Sequence, residues 1–406
     1  MIPMSYKTHT FLATWLLLAA IFFSDAALAP SCAQGVPPTR PAAVPATPAP
    51  VAAPAHIASA PATPAPARAT PAVATPARAA PAPATSSAVP ALLAPIKFNK
   101  TDYADLAVFG KKQGFTASWT KTPDTLQLTL KKPGMKLDFT SEHIDFFANG
   151  LRVFAGAAIR AYQNSLWMSR VDIDNLLAPI AAPDPARRPV PGLRVIAIDP
   201  GHGGDDNGTT NPRLKINEKT CTLDTANRLK TLLEQRGYKV VMTRTLDKYV
   251  GLAERPAIAT QARADLLVSI HYNAVENPGD AQRIAGVEVY RFTPRNQPPI
   301  RRAQPTPADK MANPADASAY WNALAAFQMH RALLAALKVP DRGLRHDKFA
   351  VLRLSPIPAI LVEPGFLTND TEARKIMTPA YRQKIAEAIA AGIQAYAAAL
   401  DTPPKP

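Results

Sequence analysis

Two histidines and two glutamates stand where they could do hydrolytic chemistry. His202 lies in the run Asp199-Pro200-Gly201-His202-Gly203-Gly204, directly after the apolar segment Val195–Ile198. His271 follows Leu267-Val268-Ser269-Ile270, and Glu363 follows Ile360-Leu361-Val362. Glu218 opens a stretch of helical pattern that runs to Gln235. Two imidazoles and one carboxylate are a usual catalytic zinc set, which leaves a coordination position for water. A further carboxylate nearby can take a proton from that water. Each residue also has a plainer reading. His202 could be solvated in its glycine-rich turn, or the glycines could cradle a phosphate. His271 could be a hydrogen-bonded core histidine, and Glu363 a loop carboxylate before Pro364-Gly365. Glu218 could be only a helix N-terminal acid favoured by the helix dipole. The joint reading rests on their shared placement.

That placement depends on the elements around them. Val195–Ile198, Tyr238–Met242, Leu266–Ile270, Val287–Tyr290 and Ala359–Val362 read as strands. Glu218–Gln235, Leu252–Arg263, Tyr320–Leu337 and Pro379–Leu400 read as helices. In the first of these, Leu223, Ala226, Leu229 and Leu233 fall near one face, and Gly237 ends the stretch. Strand and helix in alternation predict an α/β fold with a mostly parallel central sheet flanked by helices. Parallel strands would collect all four polar groups at the carboxyl edge of the sheet, where open α/β folds bind ligands. His330 falls in a helix and His346 in an apparent loop, so neither has a strand-end context.

The chain has 406 residues, of which 43 are proline. The prolines are unevenly spread, and their spread divides the chain. In residues 1–33, Lys7 and His9 precede the apolar run Phe11–Phe23, then Ala27-Leu28-Ala29 and Ser31-Cys32-Ala33. A charged start, a short apolar core and a small-residue exit predict a secretory signal peptide cut after Ala33. The apolar run falls well short of the roughly 20 residues that cross a bilayer. Export is therefore expected, with no stable membrane span after cleavage. Residues 34–95 are nearly all Ala, Pro, Thr and Val, too poor in large apolar side chains to offset ordering entropy, and predict a disordered tether. Residues 96–182 read as a small α+β module, with period-two alternation in Leu126–Leu130 and a turn at Asn149-Gly150. A second Pro/Arg linker spans 183–192, and 193–400 carries the chemistry. Cys32 and Cys221 alone exclude a disulfide scaffold and a multi-cysteine zinc finger. Cys221 reads as a buried, inert thiol.

Further motifs follow family order. They are Asn217-Glu218-Lys219, Thr243-Arg244, Ala264–Ala274 around His271, Asp341-Arg342-Gly343-Leu344, and Leu361–Asn369 around Glu363. With the His202 run, they make this half of the chain resemble the zinc-dependent N-acetylmuramoyl-L-alanine amidases of peptidoglycan, the amidase type 3 family. The resemblance implies one Zn2+ held by His202, Glu218 and His271, with Glu363 as the catalytic acid/base. It implies hydrolysis of the amide between N-acetylmuramic acid and L-alanine, in cell-wall remodelling or daughter-cell separation. Arg342 and Asn273 are candidate substrate-binding residues; a salt bridge and a loop hydrogen bond are the plainer readings. The module resembles the copper amine oxidase N-terminal-like domain through Ser118-Trp119, Asp124-Thr125-Leu126, Asn149-Gly150 and Leu166–Ser169. Its one histidine, His143, and its lack of cysteine predict no metal there.

The alternatives are another exported zinc hydrolase of the wall, such as a carboxypeptidase or deacetylase, and an inactive peptidoglycan-binding protein. Peptidoglycan is the expected partner, with an activator protein as a second candidate. The chain is expected to act as a monomer in the periplasm, with an extracellular or wall-associated location as the alternative. The net charge of +15 comes without a dense basic helix or a nucleic-acid-reading motif, so no nucleic acid is expected; an anionic wall polymer fits it better. Thr293–Ala317, rich in Pro and Arg, is expected to be a flexible flap beside the site rather than a rigid plug, with an inert surface excursion as the alternative.

Overall fold

The computed structural model describes residues 95–187 and 192–401. The expected signal peptide, nearly all of the tether, part of the second linker and Cys32 lie outside the described residues. Eleven strands form one mixed sheet. In chain order they are β1 (Thr116–Lys121), β2 (Leu126–Lys132), β3 (Met135–Thr140), β4 (Asp145–Ala148) and β5 (Leu151–Phe154). There follow β6 (Val195–Pro200), β7 (Lys239–Met242), β8 (Leu266–Ile270), β9 (Val287–Phe292), β10 (Asp341–Asp347) and β11 (Ala359–Glu363). Their spatial order is β7-β6-β8-β11-β9-β10-β5-β4-β3-β2-β1.

β6, β7, β8 and β11 run parallel, as the alternating pattern predicts. β8, β9 and β11 are buried throughout, which is why they read as apolar runs rather than as alternation. Three long helices cover this part: α1 (Glu218–Glu234), α2 (Ala319–Leu337) and α3 (Pro379–Asp401). α3 packs on both α1 and α2. A shorter helix, Glu254–Gln261, carries Pro256 in its first turn, where a missing backbone donor costs little. Among the described residues no helix is long and apolar enough to cross a membrane.

β9 departs from the parallel pattern. It pairs antiparallel with β11 and parallel with β10. Its first residues therefore lie at the carboxyl edge of β11, and its end at Phe292 lies at the opposite edge. The segment 293–317 leaves from that opposite edge. The expectation of a flap beside the site is thus corrected by strand direction. Nor does the segment hang free: Asp309, 1% exposed, accepts two bonds from Arg302 (both 2.9 Å), one from the Thr306 N–H (2.7 Å), and pairs with Lys348 (2.8 Å). Burial alone would raise the Asp309 carboxyl, but Lys348, Thr306 and Arg302 hold it below its usual range.

β10 is a strand that sequence pattern hid, because Asp341, Arg342, Arg345, His346 and Asp347 look like a loop. His346 is accordingly in a strand, not a loop, and is buried. Its Nε2–H donates to the Ala155 carbonyl (3.1 Å) and Nδ1 faces the Thr293 hydroxyl (3.0 Å). Burial pushes its imidazole down to about 3, so it is neutral and structural. Val153 of β5 pairs parallel with Leu344 of β10, carrying the sheet from one half of the chain to the other. The Arg152 N–H donates to Asp341 (2.9 Å), and the Arg345 guanidinium lies 4.9 Å over the Phe154 ring. A single apolar cluster runs from Leu128, Leu137 and Ile180 through Leu324 and Phe327 to Val268 and Ile360.

Candidate metal centre

β6 delivers His202 through a fixed strand end. The Gly201 N–H donates to the Ile270 carbonyl (3.0 Å), continuing the β6–β8 pairing to the turn. Asp199, fully buried, accepts from Thr243 Oγ1 (2.6 Å), Ser269 Oγ (2.7 Å) and Arg255 Nη1 (2.8 Å). Burial would raise this carboxyl, but Arg255 and the two hydroxyls hold it below its ordinary value. Arg255 also donates to the His202 carbonyl (3.0 Å), and Arg244 to the carbonyls of Pro200 (3.0 Å) and Gly201 (2.8 Å). Two buried arginines thus clamp three consecutive carbonyls. His202 itself sits at φ 61°, a left-handed conformation that such a clamp can hold.

His202, Glu218 and His271 come together, with one ligand atom from each lying within 4.8 Å of the others. His202 Nδ1 lies 2.8 Å from Asp206 Oδ2; donation of Nδ1–H to that carboxylate leaves the Nε2 lone pair free. Nε2 is buried, 3.1 Å from Glu218 Oε1, and makes no hydrogen bond. Glu218, first residue of α1 and 2% exposed, accepts the Thr209 N–H (2.8 Å) on Oε2 and the Tyr272 N–H (2.9 Å) on Oε1. His271 Nδ1 lies 2.9 Å from the same Oε1. Burial disfavours the Glu218 charge, yet His202 and His271 hold its carboxyl well below the usual range. Burial likewise disfavours a charged His202, yet Glu218 and Asp206 outweigh it and push the imidazole up to about 10. The pocket as built draws positive charge to its centre.

Glycines leave room for these rings. A Cβ at Gly201 would stand 2.4 Å from His271 Cε1, and one at Gly208 would stand 2.6 Å from His202 Cδ2 and 2.7 Å from Glu218 Oε2. The buried bare nitrogen, the nitrogen–carboxylate donor set and this cradle all fit a bound divalent cation.

Glu363 ends β11 fully buried, and neither carboxylate oxygen has a hydrogen-bond partner. Burial first, then Glu218 and Glu288, push its carboxyl well above the ordinary value. Asn273 is 1% exposed; its Nδ2 donates to Glu288 Oε2 (2.7 Å) and its Oδ1 accepts the Ala274 N–H (2.8 Å). Arg342 Nε donates to Glu288 Oε1 (2.9 Å), and its guanidinium lies 5.1 Å over the Phe366 ring. The two candidate substrate contacts therefore converge on one buried carboxylate. His330 pairs with Asp341 (2.7 Å), and His143 lies near Asp145 (3.6 Å) in the other half of the chain. The Cys221 thiol is buried and pushed up to about 11 by that burial.

Sequence reasoning missed Asp206, Glu288, Arg255 and the Thr209 N–H. Asp206 carried a signal, since it follows His202 by one helical turn's spacing in the same glycine-rich loop. Glu288 carried another, as a lone acid inside Val287-Glu288-Val289-Tyr290.

Residues 196–395 match the family model described as N-acetylmuramoyl-L-alanine amidase. The chain is 33% identical to N-acetylmuramoyl-L-alanine amidase AmiC of Escherichia coli O6:H1, over 50% of this chain and 52% of that protein. It is 31% identical to the uncharacterised protein YqiI of Bacillus subtilis, over 54% of this chain and 91% of YqiI. A solved structure of an N-acetylmuramoyl-L-alanine amidase from Clostridium difficile 630 is 33% identical, covers 50% of this chain and 97% of that one, and superposes with a TM-score of 0.42. The chain spans about half the length of the first curated relatives it matches: 52% of AmiC, and 58% of the probable cell wall amidase LytH of Staphylococcus epidermidis.

Proposed function

The chain belongs to the N-acetylmuramoyl-L-alanine amidase family, and from that premise we propose that it hydrolyses the amide joining the lactyl carbonyl of N-acetylmuramic acid to L-alanine of the stem peptide. The observation that carries the reading is the pairing of a His202–Glu218–His271 metal site with Glu363, a buried carboxylate that has no partner of its own. The metal is read as zinc, because two imidazoles and one carboxylate with an open position are its usual catalytic set. Bound there, zinc would polarise the scissile carbonyl and make water a stronger acid. Asp206 fixes the His202 tautomer, and the N–H groups of Thr209 and Tyr272 fix the Glu218 carboxylate.

Glu363 takes one proton from the attacking water. It returns that proton to the alanine nitrogen as the C–N bond breaks, so the sugar gains a carboxylic acid and the peptide a free amine. Burial raises its proton affinity, which suits the second step, where the protonated carboxyl donates to the leaving amine. Export to the periplasm rests on residues 1–33, and the reading of 96–182 as a copper amine oxidase N-terminal-like module rests on its sequence motifs.

Digestion of purified peptidoglycan tests the reading. Free stem peptides beginning at L-alanine are expected, and their release should stop with a chelator. Shortened peptides still attached to sugar would identify a peptidase instead.

A further inference from the structure

Glu288 is the second residue of β9 and stands opposite Glu363 across the antiparallel pair. It is fully buried. Oε2 accepts Asn273 Nδ2–H (2.7 Å) and the Tyr290 hydroxyl (2.7 Å). Oε1 accepts Arg342 Nε–H (2.9 Å), with Arg345 Nε at 3.4 Å.

Two of these partners, Asn273 and Arg342, reach the segment that follows Glu363. Asn273 stands two residues beyond His271, and its backbone is stitched to the segment after Glu363. The Asn273 N–H donates to the Gly365 carbonyl (2.9 Å), and the Leu367 N–H to the Asn273 carbonyl (2.9 Å). Arg342 lies over Phe366 in that same segment. Glu288 thus ties together the continuations of β8 and β11 and the start of β10. Burying a carboxylate with two guanidinium groups brings little net stability, because desolvation cancels much of the attraction. Such a cluster is better explained by what it aims. Arg342 Nη2 is buried and has no hydrogen-bond partner, so this guanidinium keeps a donor that the protein does not use.

We propose that Glu288 is a positioning residue for the hydrolysis: it locks Asn273 and holds the Arg342 fork so that its unused N–H receives an acceptor group of the stem peptide. The proposal rests on the amidase reading above. A planar fork held at Nε presents its outer nitrogens in a fixed direction, which a lysine cannot reproduce. Asn273 acts through Glu288 rather than by touching substrate, since both ends of its amide are already bonded.

The test is steady-state kinetics on a soluble muropeptide with the zinc-loaded full chain, comparing wild type, Glu288→Gln and Arg342→Lys. Zinc content and melting temperature are measured beside the kinetics. Both variants should raise KM at least about tenfold with a smaller change in kcat, as loss of a substrate contact does. The double variant should be no worse than about threefold beyond either single one, because the two residues act as one unit. A merely structural role would instead lower kcat through a smaller active fraction, at constant KM. If Glu288→Gln does not fold, Arg342→Lys decides alone. Wild-type KM in Arg342→Lys, or single effects that multiply fully in the double variant, overturns the proposal. A wild-type enzyme that releases no stem peptide overturns the amidase reading, and this proposal with it.

Discussion

Glu288 and Glu363 face each other in register across β9 and β11, yet their surroundings push their carboxyls in opposite directions. Both are fully buried. Glu288 is saturated by Arg345, Arg342, Tyr290 and Asn273, so burial is overcome and its carboxyl is held below the usual range. Glu363 has no partner, so burial wins, and the charges of Glu218 and Glu288 add to the rise. Two acids driven apart in this way are a common mark of an acid/base site. One stays charged and organises its neighbours. The other is left free to exchange a proton.

Glu363→Gln should lower turnover by at least about a hundredfold, within the usual worth of a general acid/base. It should also stabilise the metal-free protein wherever the wild-type carboxyl is ionised, because a buried, unpaired charge costs more than the neutral amide that replaces it. The Glu363 carboxyl is raised above its unfolded value, so its contribution to stability is present below that value and is lost as pH rises through the folded one. Urea titrations of the metal-free proteins should therefore separate as pH rises above about 4, with wild type falling further. Parallel curves across that range would contradict the assignment.

Gly201→Ala and Gly208→Ala should each fold but bind zinc poorly. Both new methyl groups would stand less than 3 Å from the His202, Glu218 or His271 side chains, and Gly208 also has φ +65°. Elemental analysis should show about one zinc per wild-type chain and well under half that in either variant. Full occupancy in both would mean that the ligand cradle lies elsewhere.

A chain beginning at residue 192 should lose far more than a tether. It would expose the β10 edge, which β5 covers, and open the shared apolar cluster. Unpaired edges promote association. Size-exclusion chromatography should find this fragment aggregated or melting well below the full chain. A monomeric fragment with an unchanged melting temperature would show that the two halves fold independently.

Asp309→Ala should cost roughly 2 kcal/mol, since it strips charged hydrogen bonds from Arg302, Thr306 and Lys348. Its kcat/KM should stay within about twofold of wild type, because segment 293–317 leaves from the edge opposite the metal site. A large loss of activity at unchanged stability would place that segment in the reaction.

The parallel strands β6, β8 and β11 were legible because burial on both faces writes them as apolar runs, and polar residues at their ends stand out. His202, His271 and Glu363 were legible for that reason and Glu218 as the acid that opens a helical stretch, and the structure brings all four to one edge. β10 was not legible, because charges on it are matched by partners far away in sequence: Arg342 by Glu288 and Asp347 by Arg301. The reversed direction of β9 was equally hidden, as period and composition say nothing of polarity. That one reversal placed Glu288 beside the site and carried segment 293–317 away from it. Continuity of the sheet through Val153 and Leu344 had no local signal either, because the two residues lie far apart in the chain.

The most direct test of the central claim is digestion of peptidoglycan in heavy-oxygen water, followed by mass analysis of both products. Hydrolysis by the wild-type chain should place the label on the lactyl carboxylate of N-acetylmuramic acid and release unlabelled peptides with a free L-alanine amine. Glu363→Gln and chelated enzyme should release neither. Label on a peptide carboxylate, with the remaining stem still joined to the sugar, would contradict the account.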